Sequence, residues 1–153
     1  MNLSLDPTKL ERPLLFLWFG STEGKSWREG LESGLAEVLL TEYQFLNIAN
    51  LVAATLSRVG NEKFRRHFEI KPIALGIAQN LVELRWQIQT TEPVIHLRLY
   101  CKLRLDEGEL VGLCFRPKRL ASSRAATLAA QNQDIHRALD LAIQHESNKQ
   151  NGS

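Results

Sequence analysis

The stretch IHLRLYCKLRL, residues 95–105, decides how the chain is read. Ile95, Leu97, Leu99, Cys101, Leu103 and Leu105 alternate without a break with His96, Arg98, Tyr100, Lys102 and Arg104. Successive side chains of a strand point to opposite faces, so this alternation marks a strand with one apolar and one polar side. Asp106-Glu107-Gly108-Glu109 reads as a hairpin turn, and residues 110–116 return as the next strand. Upstream, Leu84, Trp86 and Ile88 alternate with Arg85 and Gln87. Three antiparallel strands are therefore predicted near residues 82–89, 94–105 and 110–116.

The hairpin register decides what the two faces carry. A two-residue turn would pair Leu99 with Arg116 and Cys101 with Cys114, setting a charge among leucines. A three-residue turn at Glu107-Gly108-Glu109 pairs Leu105 with Val111, Leu103 with Leu113 and Cys101 with Phe115, with glycine as the left-handed residue. The second is preferred, because a slip of one residue turns every side chain to the other face. It points Cys101 to the core and Cys114 to the polar face, so no disulfide is expected between them.

Outward from this hairpin the period changes. Residues 14–19 read as a short buried strand. From Trp27 the apolar residues Leu31, Leu35, Val38 and Leu39 recur at helical spacing. A second helix is predicted from about Glu42 to Val59, with Gly60 as its stop. Pro72 and Gly76 suggest a loop with one short helical turn after it. The last helix is predicted from about Asn132 to His145, with Ile135, Leu139 and Ile143 on one face and Asn132 or Asp134 as cap. The predicted fold class is α+β: a small antiparallel sheet of about four strands, N-terminal helices packed on one face, and a C-terminal helix. Residues 1–145 read as a single domain with an enlarged helical region at 27–68, and 146–153 as a flexible tail.

At 153 residues the chain can bury a sizeable core. Its 44% hydrophobic and 24% charged content are those of an ordinary soluble domain. A net charge of +2 permits nucleic-acid binding without arguing for it, so placement of the basic residues must decide. Two cysteines without metal spacing fit free thiols in a reducing compartment. The start MNLSLDPTKLERP lacks the pattern of a secretory signal, and no apolar stretch approaches the roughly 20 residues of a membrane span. A cytoplasmic protein is expected.

The segment GSTEGKS, residues 20–26, resembles a phosphate-cradling loop but is one residue short between Gly20 and Gly24. Glu23 also sets a carboxylate where phosphates would sit. The segment reads instead as a strand end and a helix start, with Ser26 as cap.

In the chosen register the polar sheet face carries Arg85, His96, Arg98, Tyr100, Lys102, Arg104 and Arg116, with Lys118 and Arg119 just past the strand end. Cations hold phosphates and an aromatic ring stacks on a base, so this stripe reads as an RNA surface. A half-buried antiparallel sheet also has a polar outer face by default, and that reading stays open.

Four segments in this order resemble the RelE/HigB-type toxins of bacterial toxin–antitoxin pairs, especially their phage-derived branch. LWFGST resembles the opening strand and turn. NLVELRW resembles a Leu-x-Glu-Leu-Arg strand, with Arg85 at the arginine. HLRLYCKL resembles the next strand, with Arg98 at its arginine and Tyr100 two residues on. LVGLCFRPK followed by DIHRALDLA resembles the last strand and the closing helix. The chain departs from the family at Leu97, where a tyrosine is common, at Leu113, where a histidine is common, and at Pro117-Lys118, where two lysines are common.

The resemblance implies a ribosome-dependent endoribonuclease that cleaves mRNA without a metal, the RNA 2′-hydroxyl attacking the adjacent phosphate. It implies Arg85 and Arg98 on the scissile phosphate, Arg116 and Lys118 on the flanking phosphate or leaving group, and His96 as acid or base. Tyr100, Lys102, Arg104 and Arg119 would bind the rest of the RNA. His136 and His145 read as solvated helix residues. The implied partners are a helix-turn-helix antitoxin, the ribosome and mRNA, with no cofactor, metal or membrane. Two alternatives stand beside it: a gyrase-inhibiting toxin of the same fold, and a non-enzymatic phage-derived protein-binding module.

Overall fold

The computed structural model describes residues 14–60, 71–72, 81–89, 94–104, 106–118 and 123–151. The elements are β1 (Leu15–Trp18), α1 (Trp27–Gly34), α2 (Glu42–Ser57), β2 (Lys71–Pro72), β3 (Leu81–Ile88), β4 (Ile95–Arg104), β5 (Glu109–Pro117) and α3 (Arg124–Asn151). The fold is α+β, with the three antiparallel strands where the period of two predicts them. Among the described residues the sheet has five strands in the order β1-β5-β4-β3-β2. It is mixed, not wholly antiparallel, because β1 pairs with β5 in parallel. Parallel neighbours need a long crossover, and most of the chain lies between these two.

Local chemistry sets the helix ends. Ser26 caps α1, its hydroxyl accepting from the Glu29 N–H at 3.2 Å, as its sequence position predicts. Glu29 accepts in turn from the Lys25 N–H at 2.7 Å, so no phosphate is needed to satisfy this helix start. Thr41 and Gln44 form a reciprocal capping box at α2. Helix α1 stops at Gly34, short of the periodic residues Val38 and Leu39. Most of the 61–80 segment, including the predicted helical turn near Gly76 and the part of the helical region after Gly60, lies outside the described residues. Within it only the two residues of β2 are described, paired with Val82 and Glu83.

Two predicted boundaries shift at the C-terminus. Helix α3 begins at Arg124, not near Asn132, and Ser123 caps it, accepting from the Ala126 N–H at 3.1 Å. Asn132 and Asp134 are interior helix residues. The helix also runs to Asn151 through what reads as a tail, and Glu146 within it forms an ion pair with Lys102.

The hairpin register differs from the expected one. Arg98 pairs with Arg116, Leu99 with Phe115 and Tyr100 with Cys114, but Cys101 pairs with Gly112 and Leu103 with Leu110. The shift between Tyr100 and Cys101 makes Leu113 an extra residue in β5, a β-bulge. The strands close at Arg104 and Glu109, with Gly108 in the left-handed region at φ 65°. Leu105, expected opposite Val111, lies outside the described residues.

This bulge has a consequence for layering. Leu110 and Phe115 join the core formed with α1 and α2, through Leu31, Ile48, Val52, Leu84 and Leu99. Val111, Leu113 and Cys114 turn to the other face, where they meet Tyr100, Leu81 and the α3 residues Ala138 and Leu141. Half of the outer face is thus apolar and must be covered to leave water. Helix α3 covers it, so helices pack on both faces of the sheet. The expected basic face is open only at its far end.

Candidate functional site

The β3–β4 and β4–β5 ladders set Arg85, Arg98 and Arg116 directly opposite one another in a row across three strands. One step along, Gln87 stands opposite His96, and the Lys118 N–H donates to the His96 carbonyl at 2.6 Å. The β5 end of the first row meets α3, whose Asp134 Oδ1 is 3.8 Å from Arg116 Nε. Arg85, His96, Arg98 and Lys118 line one cleft of about 310 Å³, together with Trp86, Gln87 and Leu97. Four of the five residues predicted for catalysis are therefore brought together.

Like charges directly opposite on a sheet repel, and this row is balanced by buried carboxylates. Glu83, only 4% exposed, lies on the same face of β3, two residues before Arg85. Its Oε1 accepts from Arg85 Nε at 2.8 Å and also from Arg85 Nη2. Its Oε2 is 4.0 Å from Arg98 Nε. Arg98 also hydrogen-bonds the side chain of Tyr100. Glu83 thus contacts both guanidiniums from the neighbouring row of the same sheet face. Trp86 is fixed from the opposite face of the sheet by an Nε1–H bond to Thr55 Oγ1 at 2.8 Å.

Arg116 does not join the cleft. Glu23 accepts from it in a fork, Nη1 to Oε2 and Nη2 to Oε1 each at 3.0 Å. Arg137 of α3 donates to Glu23 Oε1 at 2.8 Å and to Thr22 Oγ1 at 2.7 Å, and Asp134 Oδ1 is 3.8 Å from Arg116 Nε. The carboxylate of the loop that resembles a phosphate loop thus anchors β5 and α3. Burial would raise the Glu23 carboxyl, but the hydrogen bonds and charges of Arg116 and Arg137 hold it below the ordinary value. Burial opposes the charge of Arg116, and its Glu23 partner more than offsets that.

The residues expected to bind the rest of the RNA are placed differently. Tyr100 is 1% exposed under α3, so its ring cannot stack on a base. Burial raises its hydroxyl pKa, against the opposing hydrogen bond of Arg98. Lys102 pairs with Glu146. Arg104 donates to Glu109 at 2.7 Å and lies 3.8 Å from Glu107. Arg119 lies outside the described residues. His145, read as solvated, is buried with its ring edge-on to Phe19 at 5.2 Å, while His136 is exposed as expected.

Sequence reasoning missed Glu83, Glu23 and Gln87 as members of these arrangements. The signal for Glu83 and Gln87 was present, since both stand two residues from Arg85 in a strand of period two. The signal for Glu23 was not, because its partners lie 93 and 114 residues away. Among the described residues no group of three or more His, Cys, Asp or Glu side chains is arranged to hold a metal ion, and no helix is long and apolar enough to cross a membrane. The chain matches no family model, no curated protein and no solved structure.

Proposed function

We propose that this chain is an RNA-cleaving toxin of a toxin–antitoxin pair, acting on mRNA at the ribosome through the cleft between Arg85, His96, Arg98 and Lys118. The observation that carries this reading is the convergence of these four side chains, from three segments of the chain, on one open cleft. A phosphodiester there meets two adjacent guanidiniums, whose positive charge attracts its oxygens. As the 2′-hydroxyl attacks, negative charge grows on the phosphorane, and fixed cations stabilise that charge more than they stabilise the ground state. His96 supplies the acid or base, since imidazole is the side chain that titrates nearest neutral pH. Lys118 serves the neighbouring phosphate or the leaving oxygen. Arg116 is left out of the reaction, because Glu23 already occupies its fork.

Expression of the chain alone is the test. The reading predicts growth arrest and mRNA cut within codons, with Arg85→Ala and Arg98→Ala each abolishing both while the protein stays folded. His96→Ala should slow cleavage and spare ribosome binding. A folded, harmless wild-type protein with intact mRNA would reject the reading.

A specific feature favours a second reading, the non-enzymatic binding module. Leu39 is 99% and Tyr43 74% exposed, beside the partly exposed Leu46, at the corner between α1 and α2. Such a patch suits a protein partner. On that reading the growth assay is silent and a partner protects these residues.

A further inference from the structure

Helices α1 and α2 carry a charge pattern and a surface that the cleft does not use. From Glu29 to Ser57 every charged residue is a glutamate, at 29, 32, 37 and 42, in a chain whose net charge is +2. Glu29 is engaged with the Lys25 N–H, whereas Glu32, Glu37 and Glu42 are exposed. At the corner between the two helices lies a pocket of about 270 Å³, lined by the apolar residues Leu35, Val38, Leu40 and Phe45 and by Glu32 and Glu42. Leu39 and Tyr43, both strongly exposed, stand beside these residues in the chain, with Leu46 one turn further along α2. A contiguous exposed apolar patch with a polar rim marks a docking surface. None of these residues lines the cleft.

The carboxylates decide what docks there. Nucleic acid is repelled by them. Thr41 and Gln44 satisfy each other's N–H groups in the capping box, so the start of α2 offers an anion little in return. A second copy meeting this corner with its own corner, about a two-fold axis, would set carboxylate against carboxylate. We infer that the α1–α2 corner is a docking site for a basic amphipathic helix of another protein. Its apolar face lies on Leu39, Tyr43 and the pocket, and its Arg or Lys head groups meet Glu32 and Glu42. The long side chain of a Lys or Arg suits such a place, because its stem is apolar and its head is charged. This rests on the second reading, a protein partner at this corner, and names that partner's chemistry. It holds whether or not the cleft cleaves RNA.

The test compares two helical model peptides. One has leucines along one face and arginines beside them, and the other has glutamate at each arginine position. Binding is read at the Leu39 and Leu40 methyl signals by NMR titration, because the acidic peptide can also find the basic cleft. Wild type should bind the basic peptide at this corner about tenfold more tightly than the acidic one, the size of two rim charge contacts. Glu32→Lys/Glu42→Lys should reverse that preference. Glu32→Gln/Glu42→Gln should abolish it, and answers the question if the lysine variant fails to fold. Leu39→Ser/Tyr43→Ser should weaken both peptides by about tenfold, the loss of exposed anchors. Equal affinities in wild type, or a basic preference that survives in the lysine and glutamine variants, overturn the inference and leave a protein partner of other chemistry at this corner. Concentration-dependent shifts of the same methyls without peptide assign the corner to a second copy and overturn it too. Binding of neither peptide at these methyls overturns the inference and removes the support for the second reading with it.

Discussion

Gly34 marks how closely α1 approaches the sheet. A Cβ at this position would stand 2.3 Å from the Phe115 carbonyl oxygen, which is backbone and cannot swing aside. Gly34→Ala should therefore force α1 away from β5 and destabilise the protein by about 1–3 kcal/mol, measured by chemical denaturation. The cysteines illustrate the same dependence on a single residue's surroundings. Cys101 and Cys114 are both free and buried, and they belong to the two opposite hydrophobic clusters of the sheet. Burial pushes the Cys114 thiol up to about 12 and the Cys101 thiol well above its ordinary value. A thiolate is the reactive form, so neither should react with an aromatic disulfide reagent at pH 8 until the protein unfolds. Fast labelling of one thiol in the native state would show that its face is open.

Among the elements, α3 and the loop after β1 are tied to β5 by one carboxylate. Glu23 has a lowered native pKa, so its contribution is complete above the unfolded glutamate value of about 4.3 and is lost as pH falls through the lowered native value. Glu23→Gln should cost about 2 kcal/mol at pH 7, because the largely buried Arg116 loses its forked charge partner and keeps only Asp134 at 3.8 Å. The gap between wild type and variant should start to narrow below about pH 4.3 and close as pH falls past the lowered native value. A constant gap from pH 7 to pH 3 would assign the effect to packing instead. The strands of this layer were legible in the sequence, since the alternation from Ile95 onward survives intact. The bulge at Leu113 was not. A local pattern of period two carries no mark of a single extra residue, and that residue decides whether Val111 faces α1 or α3. The covered half of the basic face followed from it. Arg85, His96, Arg98 and Lys118 were legible as a group because they lie at the sheet end that the bulge does not affect. Tyr100, Lys102 and Arg116 were misread because their partners come from elements distant in sequence.

At the scale of the whole molecule, a net charge of +2 is spread over a surface where several cations already have carboxylate partners. Binding of single-stranded RNA should therefore depend on few phosphates. Three contacts, from Arg85, Arg98 and Lys118, give a slope of about −2 for log K against log salt. Lys118→Ala should make that slope shallower by about 0.7. A steep slope would mean that RNA covers much more of the surface than the cleft. The most direct test of the central claim is an NMR titration of the folded protein with a short, uncleavable single-stranded RNA. The account predicts that the largest shifts fall at Arg85, Gln87, His96, Arg98 and Lys118, with Lys102, Arg104 and Arg116 little changed. Shifts centred on Leu39 and Tyr43, or none at saturating RNA, would contradict it.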